Sequence, residues 1–424
     1  MITRPQQTAA AAVPRIELGD GDEYVPPVPR VSLQAFCETA ETAAAVQAAA
    51  EDRRMMKAHV RIQMGGIAGA TEAYRNDPTP NLILLETATR GEDVLNRLDE
   101  LAQVCDLDTR VIVIRHLDDV VLRREILRRG VSEYLVAPIG PFDIVRAVSR
   151  LFGAPDARPL GRVIAVVGAK GGVGASAIAH NIAWAAARDL AIETVIADLD
   201  LAFGTASLDY NQDPPHGIAD AVTSLDRVDA TSIDRLLSTC SGRLRLLAAP
   251  ATIDRVYEVA AESFDPAIDA LQASASCVVL DVPHVWTAWS RRILVGADTI
   301  LIVAAPDLAS LRNAKNLIEM LHLARPNDRP PLYCLNQVGV PKRPEIKPSD
   351  FASALADEPV AVIPFEPQLF GAAANNGQMI AEVASAHRVA DVFRYLAETV
   401  AGCAEAKKGR ATLATPLMGK LSQR

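Results

Sequence analysis

Residues 162–188 constrain this chain more than any other stretch. Arg162-Val163-Ile164-Ala165-Val166-Val167 is a short apolar, β-branched run. Gly168-Ala169-Lys170-Gly171-Gly172-Val173-Gly174-Ala175-Ser176 follows at once, and Ile178, Ile182 and Ala185 then recur at helical spacing. The order is buried strand, glycine loop, helix. Glycines let a backbone turn tightly and bring several N–H groups to one anion. The following helix aims its positive end at the same point. The candidate phosphate cradle runs from Gly168 through Ala177, and Ser176 stands where a hydroxyl would hold Mg²⁺.

The loop departs from the usual Gly-x4-Gly-Lys-Ser/Thr pattern. Ala175 stands in the lysine position and Lys170 comes earlier. Only 8 of the 43 basic residues are lysines, which argues against a chance lysine here. Lys-Gly-Gly-Val-Gly-x-Ser resembles the deviant Walker A loop of the ParA/MinD family of ATPases. The resemblance implies that Lys170 reaches across a nucleotide-sandwiched homodimer to the partner's phosphates. Ala175 removes a charge from a reaction that depends on charge stabilisation, so ATP binding with slow hydrolysis is expected.

Two acidic motifs accompany the loop. Residues 194–197 read as a strand ending in Asp198-Leu199-Asp200, and spacing two on a strand puts both carboxylates on one face. Cys277-Val278-Val279-Leu280-Asp281 has the form of a Walker B strand, whose aspartate holds Mg²⁺ through water. The resemblance implies that Asp200 orients the attacking water and that Asp198 supports the Mg²⁺ environment. It makes Lys170, Asp198 and Asp200 the catalytic set, and Ser176, Asp198 and Asp281 the metal set. By the same resemblance, Asn336 and the stretch Pro364-Phe365-Glu366 flank the nucleotide base. His180, His284 and His322 are dispersed in sequence and are read as structural.

Upstream, residues 30–36, 81–85, 109–114 and 133–136 read as strands, with helical stretches at 40–51, 91–104 and 120–129. This alternation predicts a parallel sheet covered on both faces. The order resembles a response-regulator receiver domain. Its chemistry is missing, because Glu86 stands in the phosphoacceptor position, Ala137 in the lysine position, and only Glu38 lies near the acidic pair. No phosphotransfer is expected. The fold class is therefore α/β: two doubly wound parallel-sheet domains, a receiver-like (flavodoxin-like) one followed by a P-loop ParA/MinD-type one. The expected boundaries are a flexible leader at 1–29, the receiver-like domain at 30–155, the ATPase domain at 156–406 and a basic flexible tail at 407–424.

The chain has 424 residues and a net charge of −9, which disfavours a nucleic-acid binder dominated by phosphate neutralisation. Its six cysteines are scattered without a Cys-x-x-Cys pair, as in a reduced compartment. A receiver-like domain ahead of Lys-Gly-Gly-Val-Gly-Ala-Ser and Asp-Leu-Asp-Leu-Ala-Phe-Gly-Thr-Ala looks like the CpaE/TadZ group. That resemblance implies a cytoplasmic ATP- and Mg²⁺-dependent switch that helps assemble Flp (Tad) pili at a cell pole near the inner membrane. The implied partners are a second copy, Tad/Flp components and a polar marker, with weak or indirect membrane contact. Two alternatives stand beside it. One is a DNA-segregation ATPase using Lys342, Arg343 and Lys347, and the other is a nucleotide-free scaffold.

Overall fold

The structure is a computed structural model and describes residues 25–89, 93–153, 160–223 and 229–402. Two compact units divide the chain, one spanning Tyr24–Arg158 with the short segment Arg325–Asp328, the other spanning the remainder of residues 159–402. Most of the expected leader, the stretch 154–159 and the whole expected basic tail lie outside the described residues.

The N-terminal unit holds strands β1 (Ser32–Cys37), β2 (His59–Met64), β3 (Leu82–Thr87), β4 (Arg110–Arg115) and β5 (Glu133–Val136). They form one sheet in the order β2-β1-β3-β4-β5, every pair parallel. This is the flavodoxin-like order 2-1-3-4-5. Side chains alternate between two cores. Leu33, Ala35, Leu82 and Leu84 face one layer of helices, while Phe36, Ile83 and Leu85 face the other. Burial on both faces is why these strands read as continuous apolar runs. The sequence reading found four of the five strands. It missed β2, an edge strand whose residues are all exposed or half-buried.

The leader also ends earlier than expected. Val25 and Val28 are buried in the N-terminal core, the Val28 N–H donates to Arg54 O, and Ser149 Oγ donates to Pro26 O at 2.7 Å. The prolines that suggested flexibility hold an extended strap, in which apolar burial outweighs the lack of regular structure.

The C-terminal unit holds β6 (Arg162–Gly168), β7 (Thr194–Asp198), β8 (Ser238–Ser241), β9 (Leu244–Leu247), β10 (Cys277–Val282), β11 (Thr299–Ala304), β12 (Leu332–Val338) and β13 (Ala361–Pro364). The sheet order is β13-β12-β11-β6-β10-β7-β9-β8, parallel except for the terminal β8–β9 pair. Strand β6 is internal, between β11 and β10. Its Ile164 and Val166 enter one core and its Val163, Ala165 and Val167 the other. The Arg162 guanidinium at the start of β6 donates to Ala401 O at 3.1 Å, closing the unit's first strand against its last described residues. Among the described residues no helix is long and apolar enough to cross a membrane.

Candidate functional site

The glycine loop leaves the C-terminal end of β6 and enters the helix Ala175–Arg188. Four side chains grip the loop's carbonyls from outside. His284 Nδ1 lies 2.9 Å from Gly168 O, and Asn313 Nδ2 donates to Ala169 O at 2.9 Å. Gln337 Nε2 donates to Gly172 O at 2.9 Å and Asn336 Nδ2 to Val173 O at 2.8 Å. In a planar trans peptide the N–H points opposite the carbonyl. Tying the carbonyls of Ala169, Gly172 and Val173 outward therefore directs the N–H groups of Lys170, Val173 and Gly174 inward, as an anion cradle requires.

Gly174 caps the helix at φ 84°, and a Cβ there would lie 2.6 Å from Asn336 Nδ2. Asn336, expected at the nucleotide base, here donates one amide N–H to the loop. Pro364 ends the edge strand β13, the Phe365 N–H donates to Val338 O, and Glu366 pairs with Arg388 at 2.9 Å. Ala177 O accepts from Asn181 Nδ2 within the helix.

Lys170 Nζ lies 2.6 Å from Asp307 Oδ2 of the same chain. Burial alone would raise the Asp307 carboxyl, but Lys170 and the Ser310 N–H outweigh it and hold it below the usual range. Beside the loop, a mostly apolar cavity of about 410 Å³ is lined by Gly168, Ala169, His284, Trp286, Asn313 and Met320 among others.

The carboxylates come together through sheet register. Asp281 of β10 pairs directly with Asp198 of β7, and both are buried. The expectation that Asp198 and Asp200 share a strand face is corrected. Strand β7 stops at Asp198: the Leu199 N–H still closes the parallel ladder on Asp281 O, and the chain then turns, with the Gly204 N–H donating to Asp200 O. Asp200 is half-buried in the following turn, where its Oδ1 accepts from the N–H groups of Ala202 and Phe203. Asp198 accepts from Asp200 N at 3.1 Å and from Ala206 N at 3.1 Å. Burial and then the neighbouring Asp281 charge push the Asp198 carboxyl up to about 7, against the pull of His180 and the two N–H donors.

His180 does not stand apart from these groups. It sits four residues after Ser176 on the same helix face, fully buried, with a ligand atom grouped with those of Asp198 and Asp281 within 4.8 Å. Its Nδ1 lies 2.7 Å from Asp209 Oδ2 and its Nε2 3.4 Å from Asp281 Oδ2, the latter without hydrogen-bond geometry. Burial would lower this imidazole, but Asp209 and Asp281 outweigh burial and raise it to about 10. The oxygen donors Asp198 and Asp281 suit a hard cation such as Mg²⁺; Ser176, half-exposed, lies one helical turn before His180 on the same helix.

The receiver-like unit presents a closed counterpart. Glu86 on β3 is fully buried. Its carboxylate accepts from Glu38 N and Thr39 N at 2.7 and 2.8 Å, and from Thr39 Oγ1 and Thr42 Oγ1 at 2.7 Å each. His116 Nε2 lies 2.8 Å away. Burial alone would raise this carboxyl; the Thr39, Thr42 and Glu38 donors outweigh it and hold it below its ordinary range. Glu38 Oε2 accepts from Ala88 N at 2.7 Å.

An internal parallel strand ending in a glycine cradle, with paired aspartates on neighbouring strands, defines the ParA/MinD class of P-loop folds. No family model matches the sequence. A ParA family ATPase from Chlorobium tepidum has the same fold, at TM-score 0.51 and 24% identity over 56% of this chain and 98% of that one. So does the septum site-determining protein MinD from Pyrococcus horikoshii, complexed with Mg-ADP, at TM-score 0.50 and 19% identity over 57% and 96%. The pilus assembly protein CpaE from Caulobacter crescentus is 45% identical over 31% of this chain and 100% of the CpaE structure, at TM-score 0.30. On that sequence identity the chain belongs to the family of CpaE pilus assembly proteins, and its likeness to ParA and MinD is one of fold. It spans about half, 55%, of the length of the first curated relatives it matches.

Proposed function

We propose that this protein is an ATP- and Mg²⁺-dependent switch serving pilus assembly. The carrying observation is the cradle itself: carbonyls of Gly168, Ala169, Gly172 and Val173 all tied outward, with Asp198 and Asp281 paired in register nearby. Mg²⁺, held by Ser176, Asp198 and Asp281, would supply charge neutralisation at the phosphates. The inward N–H groups bind the phosphate oxygens. Lys170 exchanges Asp307 for phosphate and, in a sandwich of two copies, reaches the partner's nucleotide. Asp200 orients water, and turnover is slow because Ala175 brings no charge. The receiver-like unit performs no phosphotransfer and serves targeting or self-association at a cell pole.

The test is nucleotide binding, hydrolysis and self-association measured together on the wild type and on Lys170→Ala. The expected result is ATP-dependent dimerisation by the wild type, with dimerisation lost in the variant. Absence of nucleotide binding by the wild type would leave only a scaffold. A salt-sensitive, ATP-dependent shift of DNA would favour the segregation reading instead.

A further inference from the structure

His180 is the one buried imidazole that the proposed mechanism does not use, and its surroundings form a closed chain of contacts. The segment after Asp198-Leu199-Asp200 folds into a four-residue helix, Ala206–Asp209. Asp198 Oδ2 holds the start of this helix through the Ala206 N–H at 3.1 Å. Asp209 at its end pairs with His180 Nδ1 at 2.7 Å. The next residue, Tyr210, donates its O–H to His180 O at 2.7 Å. On its other side His180 Nε2 faces Asp281 at 3.4 Å. The helix is thus bonded at one end to Asp198 directly, and at the other to an imidazole whose far nitrogen stands 3.4 Å from Asp281.

We infer that His180 is a positioning residue that links the Asp281 carboxylate to the helix Ala206–Asp209, so that filling the phosphate site with Mg²⁺-nucleotide is felt by that helix. The inference rests on the proposed nucleotide site and adds the route by which its occupancy leaves it. A cation at Asp198 and Asp281 competes for the oxygens that now hold Ala206 N and face His180. A cation drawing on these carboxylates weakens their hold on the Ala206 N–H and on His180, so the anchors of the helix change when the site fills. Its outer flank carries the exposed Phe203 and Leu208, which line a cavity of about 460 Å³ with Asn211 and Pro250. A shift of the helix re-shapes this mixed polar and apolar surface, the kind of change another protein can read.

The test is amide hydrogen exchange of the full-length protein over residues 206–212, with and without Mg²⁺-ADP, beside a binding titration of the same samples. In the wild type, Mg²⁺-ADP is expected to change exchange of this segment fivefold or more. Asp209→Asn keeps the side-chain shape and removes the charge that engages His180. It should bind Mg²⁺-ADP within threefold of the wild type while the exchange response falls below twofold. His180→Gln should behave likewise. Tyr210→Phe removes the bond to the His180 carbonyl but leaves the side-chain contacts from Asp209 through His180 to Asp281 in place, and should keep the response. A full response in both Asp209→Asn and His180→Gln would overturn the coupling, as would its loss in Tyr210→Phe, which would show general loosening. A wild type that binds Mg²⁺-ADP with no response at 206–212 overturns the coupling alone. A wild type that binds no nucleotide overturns the function reading and the coupling with it.

Discussion

Both units put an acidic side chain at the C-terminal edge of a parallel sheet, yet the two edges are built to opposite ends. In the N-terminal unit Glu86 meets four donors from Glu38, Thr39 and Thr42 and the ring of His116, so the pocket is filled by its own residues. In the C-terminal unit the donors are turned into the cradle by side chains that occupy the carbonyls behind them. The same fold position can thus be closed or kept ready by deciding which half of each peptide the neighbouring side chains bind. A polar group that is satisfied internally has little to offer a ligand. One unit closes its edge with its own residues, and the other holds its loop N–H groups turned away from the side chains that bind the carbonyls.

The change expected to weaken the open site most is Gly174→Ala. It forces a Cβ into a left-handed position, at a cost of about 1–2 kcal/mol, and sets it 2.6 Å from Asn336 Nδ2. Nucleotide affinity should fall about a hundredfold, roughly 2.7 kcal/mol, in a titration with a fluorescent nucleotide. An unchanged affinity would mean that the loop is not the cradle.

At the closed site, Glu86→Leu leaves the donors without their acceptor. A loss of about 3 kcal/mol is expected from stranded bonds to a charged group, read as faster hydrogen exchange over the helix Ala40–Ala50. All three tryptophans, Trp184, Trp286 and Trp289, belong to the C-terminal unit, so their fluorescence follows the other unit in the same sample. If helix exchange does not change, the carboxylate is not what closes this pocket.

Acid tests the same contrast more gently. The folded Glu86 carboxyl lies below its ordinary value of 4.5, so its contribution is complete above that pH and fades as pH falls below it toward the folded value. Protection of residues 40–50, corrected for intrinsic exchange, should decline over that window. A decline that begins well above pH 4.5 would point to another group. The smallest effect is expected from Asp307→Asn. Freeing Lys170 from a half-exposed ion pair, of a kind worth about 0.2–1 kcal/mol, should tighten nucleotide binding two- to fivefold, to within roughly that range. Weaker binding would show that Asp307 helps to present Lys170 rather than to restrain it.

The sequence displayed what is local and apolar, and hid what depends on register. The strands at 162–167 and 277–281 were legible because burial on both faces demands unbroken apolar runs. Strand His59–Met64 was not, since an edge strand tolerates His, Arg and Gln on its open faces. The short antiparallel strand Ser238–Ser241 carried no apolar signal either. Asp198 and Asp281 could each be singled out, but their direct pairing follows from β7 and β10 lying side by side. One signal was available: Val195-Ile196-Ala197-Asp198 and Val278-Val279-Leu280-Asp281 share one pattern, three apolar residues closing in Asp. His180 escaped because its partners lie at 198, 209 and 281, brought together only by the fold. The gripping residues His284, Asn313 and Gln337 likewise have no local motif; each acts through a carbonyl, which any residue carries.

The bond between Arg162 and Ala401 sets how this unit can be wired to anything else. Strand β6 has seven residues, so its first residue lies about 20 Å from the loop at its other end. Arg162 and Ala401 therefore share one corner, at the opposite end of β6 from the glycine loop. A fluorescent tag joined at either of these two positions is therefore expected to lie at the far end of β6 from the glycine loop.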